Sequence, residues 1–138
     1  MKAPVSIFML LVLTCLSTAD EIQMMVNWYS ASGLSGDGSL GFFATLTNPV
    51  SVCIDKTRMM MYITDSQQIR VMNFTDGIIN KFAGTYSVQG DSGTGGAATS
   101  ATLNNPSSVA IDEIRGQVYI AGMSHTLYIL TITSYWSK

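Results

Sequence analysis

The sequence predicts an all-β chain of about two units, each of four short antiparallel strands, and three observations predict it. The stretch Leu46-Thr47-Asn48-Pro49, running through Val52-Cys53-Ile54-Asp55 to Met61-Tyr62-Ile63-Thr64, returns 57 residues later as Leu103-Asn104-Asn105-Pro106, Val109-Ala110-Ile111-Asp112 and Val118-Tyr119-Ile120-Ala121. Within each period the apolar runs are short and are bounded by Gly, Pro, Asn and Asp, the punctuation of successive strands. Beyond the first twenty residues no stretch carries a helical period. Four short strands per period, repeated, is the sequence form of a β-propeller blade.

The first unit predicts strands over residues 50–54, 60–64, 69–72 and 78–82. The second predicts them over 108–111, 118–121 and 127–131. Pro49 and Pro106 start the first strand of each unit, where a missing N–H costs least. Along these strands Val52 and Ile54, or Val109 and Ile111, share one face. Ser51 and Cys53, or Ser108 and Ala110, share the other, so bulk alternates with room for a neighbouring sheet. Laid without a gap, residues 21–65 match residues 78–122 at roughly 19 of 45 positions. That alignment sets residues 22–26 against 79–83 and predicts a leading outer strand there.

Composition fits a packed domain: 138 residues, 47% hydrophobic and 12% charged. A net charge of -2 with scattered Lys and Arg argues against a nucleic-acid partner. At the N-terminus, Lys2, an apolar run over 5–13 and Ser17-Thr18-Ala19 read as a signal peptide over residues 1–19, leaving 20–138 as the secreted, extracellular chain. The run falls short of the ~20 residues a spanning helix needs, so no membrane span is expected after cleavage. The alternative is anchoring by an uncleaved N-terminal segment. Once residues 1–19 are removed Cys53 has no cysteine partner, and its place in a strand marks it as a small buried hydrophobe. Asn73-Phe74-Thr75 is a glycosylation sequon beside the turn signal Asp76-Gly77, where the asparagine is expected to be exposed.

Gly93-Thr94-Gly95-Gly96-Ala97-Ala98-Thr99-Ser100-Ala101-Thr102-Leu103-Asn104-Asn105-Pro106, followed by Val109-Ala110-Ile111-Asp112 and Gly116-Gln117-Val118-Tyr119-Ile120-Ala121, resembles an NHL repeat of the extracellular, glycine-rich subtype. The first unit resembles it too, through Gly36-Asp37-Gly38, Tyr62-Ile63-Thr64-Asp65, Ile69-Arg70-Val71, Gly77-Ile78-Ile79 and Phe82-Ala83-Gly84. The resemblance covers nearly all of residues 20–138, with repeat units at about 36–84 and 93–138. It implies a β-propeller whose repeat signature is structural: Pro49, Asp55, Tyr62 and Asp65, then Pro106, Asp112 and Tyr119. The second unit departs from the pattern, with Gly122 in place of the aspartate and Tyr128 where the first unit has Arg70. Asp65 and Arg70 are read as residues that fix turns.

The resemblance also implies a ring of about six blades, whereas this sequence carries two. Either several copies complete a propeller as a homo-oligomer, or the chain is a truncated fragment of a larger NHL-repeat receptor or enzyme whose functional residues lie elsewhere.

Three features invite a chemical reading. Gly90-Asp91-Ser92-Gly93 looks like a serine-protease nucleophile motif, but the one histidine, His125, follows it, and Gly33-Leu34-Ser35-Gly36 repeats it without the aspartate. Turn chemistry explains both. Some NHL-like propellers are metal-dependent lyases that hold their metal with several histidines, and one histidine cannot supply such a site. The glycine-rich loops lack the Lys and Ser/Thr of a phosphate-binding loop. No catalytic residue, metal ligand or cofactor is therefore assigned. The expected role is a non-enzymatic module whose loops bind a protein or carbohydrate partner. Trp28, Tyr29, Phe42 and Phe43 are the candidate loop contacts, with packing between sheets as the competing reading.

Overall fold

The computed structural model describes residues 35–123 and 125–132. The proposed leader, the leading strand over 22–26, and Trp28 and Tyr29 lie outside the described residues. The described chain is all-β and antiparallel, with eight strands in order: β1 (Ser39–Leu40), β2 (Pro49–Asp55), β3 (Met60–Asp65), β4 (Gln68–Asn73), β5 (Ile78–Gly84), β6 (Ser108–Asp112), β7 (Gln117–Ala121) and β8 (Leu127–Thr131). Single 3-10 turns occupy Gly41–Phe43 and Ala98–Ser100. No helix among the described residues is long and apolar enough to cross a membrane.

The strands form two sheets, ordered β1-β5-β4-β3-β2 and β6-β7-β8. Strands β2 to β5 and β6 to β8 are up-and-down meanders joined by short turns, since antiparallel neighbours need nothing longer, whereas β1 pairs with β5 at the edge opposite β2. Asp55 and Asp112 close equivalent hairpins. Asp55 Oδ1 accepts the Arg58 N–H at 2.9 Å, and Asp112 Oδ1 accepts the Arg115 N–H at 2.9 Å. The other carboxylate oxygen pairs with the same arginine's guanidinium, at 2.9 Å and 2.7 Å. These local side-chain bonds replace the ladder where the backbone turns. Only two residues, Ser66 and Gln67, join β3 to β4, and Ser66 takes the positive φ of 54° that such tight hairpins require.

The expected alternation of faces decides how the sheets stack. On one face of the first sheet Tyr62, Ile69, Val71 and Ala83, with half-buried Cys53, pack against Val109, Val118 and Ile120 of the second sheet. Leu103 is wedged into the same cluster. The opposite face of the first sheet carries Met61, Ile63, Met72 and Ile79, flanked by Val52 and Ile54 and covered by Ala44 and Leu46. Val118, Ile120, Ile69 and Ile79 are fully buried. Each such side chain contributes about 1.5–3 kcal/mol, so the two clusters dominate stability.

Strand β2 lies alongside β6, first strand beside first strand, and polar bonds tie their ends. The Thr57 hydroxyl donates to Glu113 Oε2 at 2.6 Å, Arg58 Nη1 donates to the Glu113 carbonyl at 3.2 Å, and Gln67 Nε2 donates to Asn105 Oδ1 at 2.8 Å. Cys53 sits at this junction as a half-buried free thiol, pushed up to about 11 by burial and, secondarily, by Asp55. That is the setting of a small hydrophobe and not of a reactive thiolate.

Candidate binding surface

Each unit opens with an irregular arm that lies across its sheet, and the two arms are built alike. Ser35 is bridged to Thr45 and Ser92 to Thr102. The hydroxyl pairs lie 3.0 Å and 2.8 Å apart, and each threonine Oγ1 also accepts its serine's N–H, at 3.1 Å and 3.0 Å. Gly36 and Gly93 turn the arm with φ of 91° and 97°. A Cβ at Gly36 would lie 2.6 Å from Ala44 Cα, and one at Gly93 2.7 Å from Ala101 Cα. Only glycine fits such an approach. The Gly-Asp-Ser-Gly stretch is thus part of an arm: the Ser92 hydroxyl is taken up by Thr102, as Ser35's is by Thr45.

The arms are pinned to their sheets by different chemistry. In the first unit Asp65 Oδ1 accepts two backbone N–H groups, from Thr47 at 2.8 Å and Asn48 at 2.7 Å. Arg70 reaches over the arm, donating to the Thr45 carbonyl at 3.3 Å. Its Nη2 forms an ion pair with Asp37 Oδ1 at 2.8 Å. Asp65, Gln68 and Arg70 are fully buried. Burial pushes the Asp65 carboxyl up, against the N–H groups of Asn48 and Thr47 and the charge of Arg70; burial also pushes the Arg70 guanidinium down, against Asp37 and Asp65. Asp65 Oδ2, both polar atoms of Gln68, and Arg70 Nε have no protein hydrogen-bond partner. These residues hold the arm in place and are shut off from solvent.

In the second unit the link from β7 to β8 is one residue longer, because Ala121 pairs with Leu127 where Thr64 pairs with Ile69. Tyr128 therefore pairs with Ile120 as Arg70 pairs with Ile63. Its hydroxyl accepts the Asn104 N–H at 3.0 Å and donates to Asp91 Oδ1. Asn104 is the counterpart of Thr47, so one phenol performs the tasks of both Asp65 and Arg70. The ring needs room: a Cβ at Gly122, the aspartate's counterpart, would lie 2.9 Å from the Asn104 carbonyl and 3.0 Å from a Tyr128 ring carbon. Gly122 and Tyr128 are thus a matched pair of changes.

Of the candidate contacts, Phe42 and Phe43 stand in the 3-10 turn beside β1, 51% and 69% exposed, in edge-to-face contact with ring centroids 5.5 Å apart. Their counterparts by repeat are Thr99 and Ser100. Asn73 ends β4 and is half-buried, less open than the sequon suggests. Its Oδ1 accepts the Thr75 N–H at 2.7 Å in a local turn, while Phe74 packs against the core and Thr75 is exposed. His125 is exposed in the β7–β8 link with φ of 64°. No cluster of three or more His, Cys, Asp or Glu suited to a metal occurs among the described residues. Compared with protein-family models and with curated proteins, the chain matches none.

Proposed function

We propose that this chain is a secreted, non-enzymatic β-propeller module of the NHL-repeat kind, whose loops bind a protein or carbohydrate partner. One observation carries the reading. The two arms share their glycines, their Ser-Thr bridges and their course, yet the first presents an exposed aromatic pair where the second has Thr99 and Ser100. Exposed, mutually braced rings are costly to hydrate and suited to stacking on a sugar face or entering an apolar pocket. Meander sheets stacked first strand beside first strand support the propeller reading, and Lys2, the apolar run over 5–13 and Ser17-Thr18-Ala19 support secretion.

Replacing the pair by its repeat counterparts, Phe42→Thr with Phe43→Ser, tests the reading on an array of immobilised oligosaccharides and extracellular-matrix proteins. The expected result is at least tenfold weaker capture than wild type, with an unchanged melting temperature. A large fall in melting temperature, or no capture by the wild-type chain, overturns it.

A further inference from the structure

The second sheet has three strands where the first has four in the same meander, and the outer edge of β8 carries no strand among the described residues. Beside that edge runs an open groove of about 780 Å³ whose lining includes Ala101, Leu103 and Leu130. In the first sheet the counterparts of these residues, Ala44, Leu46 and Met72, form one cluster with fully buried Ile79 of β5. The groove is thus the second unit's version of the place that β5 fills in the first.

The internal repeat names a strand for it. Residues 21–27 align without a gap on 78–84, setting Ile22 on Ile79, Met25 on Phe82 and Val26 on Ala83, apolar on apolar at the positions that turn inward. Asn27 replaces Gly84, which has φ of 86° and is crowded by the carbonyl of Gln67 in the β3–β4 hairpin. The corresponding hairpin is the one lengthened in the second unit, and asparagine tolerates that backbone region better than most residues.

The repeat also says which copy supplies the strand. Residues 85–92 lead from β5 of the first sheet to the arm that lies between the two sheets. By the same ungapped count, residues 28–35 are the counterpart of that connection, and the arm they precede lies on the opposite face of the first sheet. The repeat thus assigns residues 21–27 to a neighbouring sheet on that opposite face, away from their own β8. We infer that residues 21–27 of one copy of this chain pair with β8 of a second copy, so that copies associate head to tail.

The face of the second sheet that such packing covers is the one now open. It carries Ala110, Tyr119, Leu127 and Ile129, of which Leu127 is 60% and Ile129 55% exposed. Their counterparts Cys53, Tyr62, Ile69 and Val71 are the residues that the first sheet buries against the second. The surface receiving it in the other copy includes Val52, half-buried where its counterpart Val109 is buried. Such a contact joins two different surfaces and yields a ring or a filament according to its rotation.

The register follows from β4 and β5. Arg70 pairs with Lys81 and Val71 with Asn80, so Tyr128 meets Met24 and Ile129 meets Gln23. The experiment uses two differently tagged full-length chains, both carrying Cys15→Ser and Cys53→Ala, one with Gln23→Cys and the other with Ile129→Cys, co-expressed and oxidised. The expected product is a disulfide-linked pair bearing both tags, together with a wild-type mass by light scattering at a multiple of the monomer. A wild-type monomer, or the absence of the two-tag product, overturns the inference. A chain carrying both cysteines that closes only on itself overturns it in favour of a strand supplied in cis. Mass and cross-linking are read independently of ligand capture, so failure here is distinct from failure of the loop-binding proposal.

Discussion

The two arms of this molecule solve one problem with different side chains. In the first unit a buried carboxylate and a buried guanidinium hold the arm, and in the second a single tyrosine holds it with an aspartate that lies in the arm itself. Buried charges are vulnerable, because removing one leaves the polar groups around it without a partner and without water. A phenol loses far less when cut back. The comparison teaches that the divergence of the second unit is a compensated exchange: the aspartate is lost, the arginine is lost, and the hydrogen bond to the arm survives.

The largest effect that can break this comparison comes from the first arm. Arg70→Met is expected to cost about 3–5 kcal/mol, since the Thr45 carbonyl loses its donor, Asp37 its ion pair and the buried Asp65 a nearby positive charge. Tyr128→Phe is expected to cost about 1–3 kcal/mol for the lost charge-assisted hydrogen bond. Urea titration of both variants gives the two values, and equal losses would mean that the arms are not held as described.

A smaller effect sharpens it. Gly122→Asp alone forces a Cβ against the Asn104 carbonyl and the Tyr128 ring and is expected to cost about 1–3 kcal/mol. Combined with Tyr128→Arg, which recreates the first unit's pair, the loss is expected to shrink, with a favourable coupling of about 0.5–3 kcal/mol in a double-mutant cycle. Strict additivity would refute the matched exchange.

The smallest effect concerns the latch between the units. Hydrogen bonding from the Thr57 hydroxyl, foremost, holds the Glu113 carboxyl below the usual carboxylate range. A depressed folded value means that the stabilisation is fully present above the unfolded pKa, near ~4.3 for a glutamate. It is lost as pH falls through the lower folded value. Glu113→Gln is expected to lower the urea midpoint slightly at pH 7 and to converge with wild type at the acid end. A gap that persists or widens on acidification would show that the carboxylate is not what ties Glu113 to Thr57.

Much of the architecture was legible in the sequence because it is local. Strand limits shifted by a residue or two, and Val52 and Cys53 took opposite faces as period two requires. Other features depended on partners far along the chain. The repeat pattern shows Tyr128 as a departure from Arg70. That its hydroxyl meets both Asn104 and Asp91, across 24 and 37 residues, no periodicity reveals. Asn73 carries a surface signal, but its local turn and the inward Phe74 leave it half-buried.

By itself the sequence determined the antiparallel strands, their hairpins and the glycines of the arms, since φ preference, side-chain alternation and turn chemistry act over a few residues. The tertiary structure alone decided which face of each sheet is covered, that Asp65 and Arg70 are interior, and that Phe42 and Phe43 stand outside while Tyr62 and Phe82 meet edge to face inside. The reason is physical: an aromatic residue carries the same preference for burial wherever it occurs, and only the stacking of one sheet on another settles which rings receive cover.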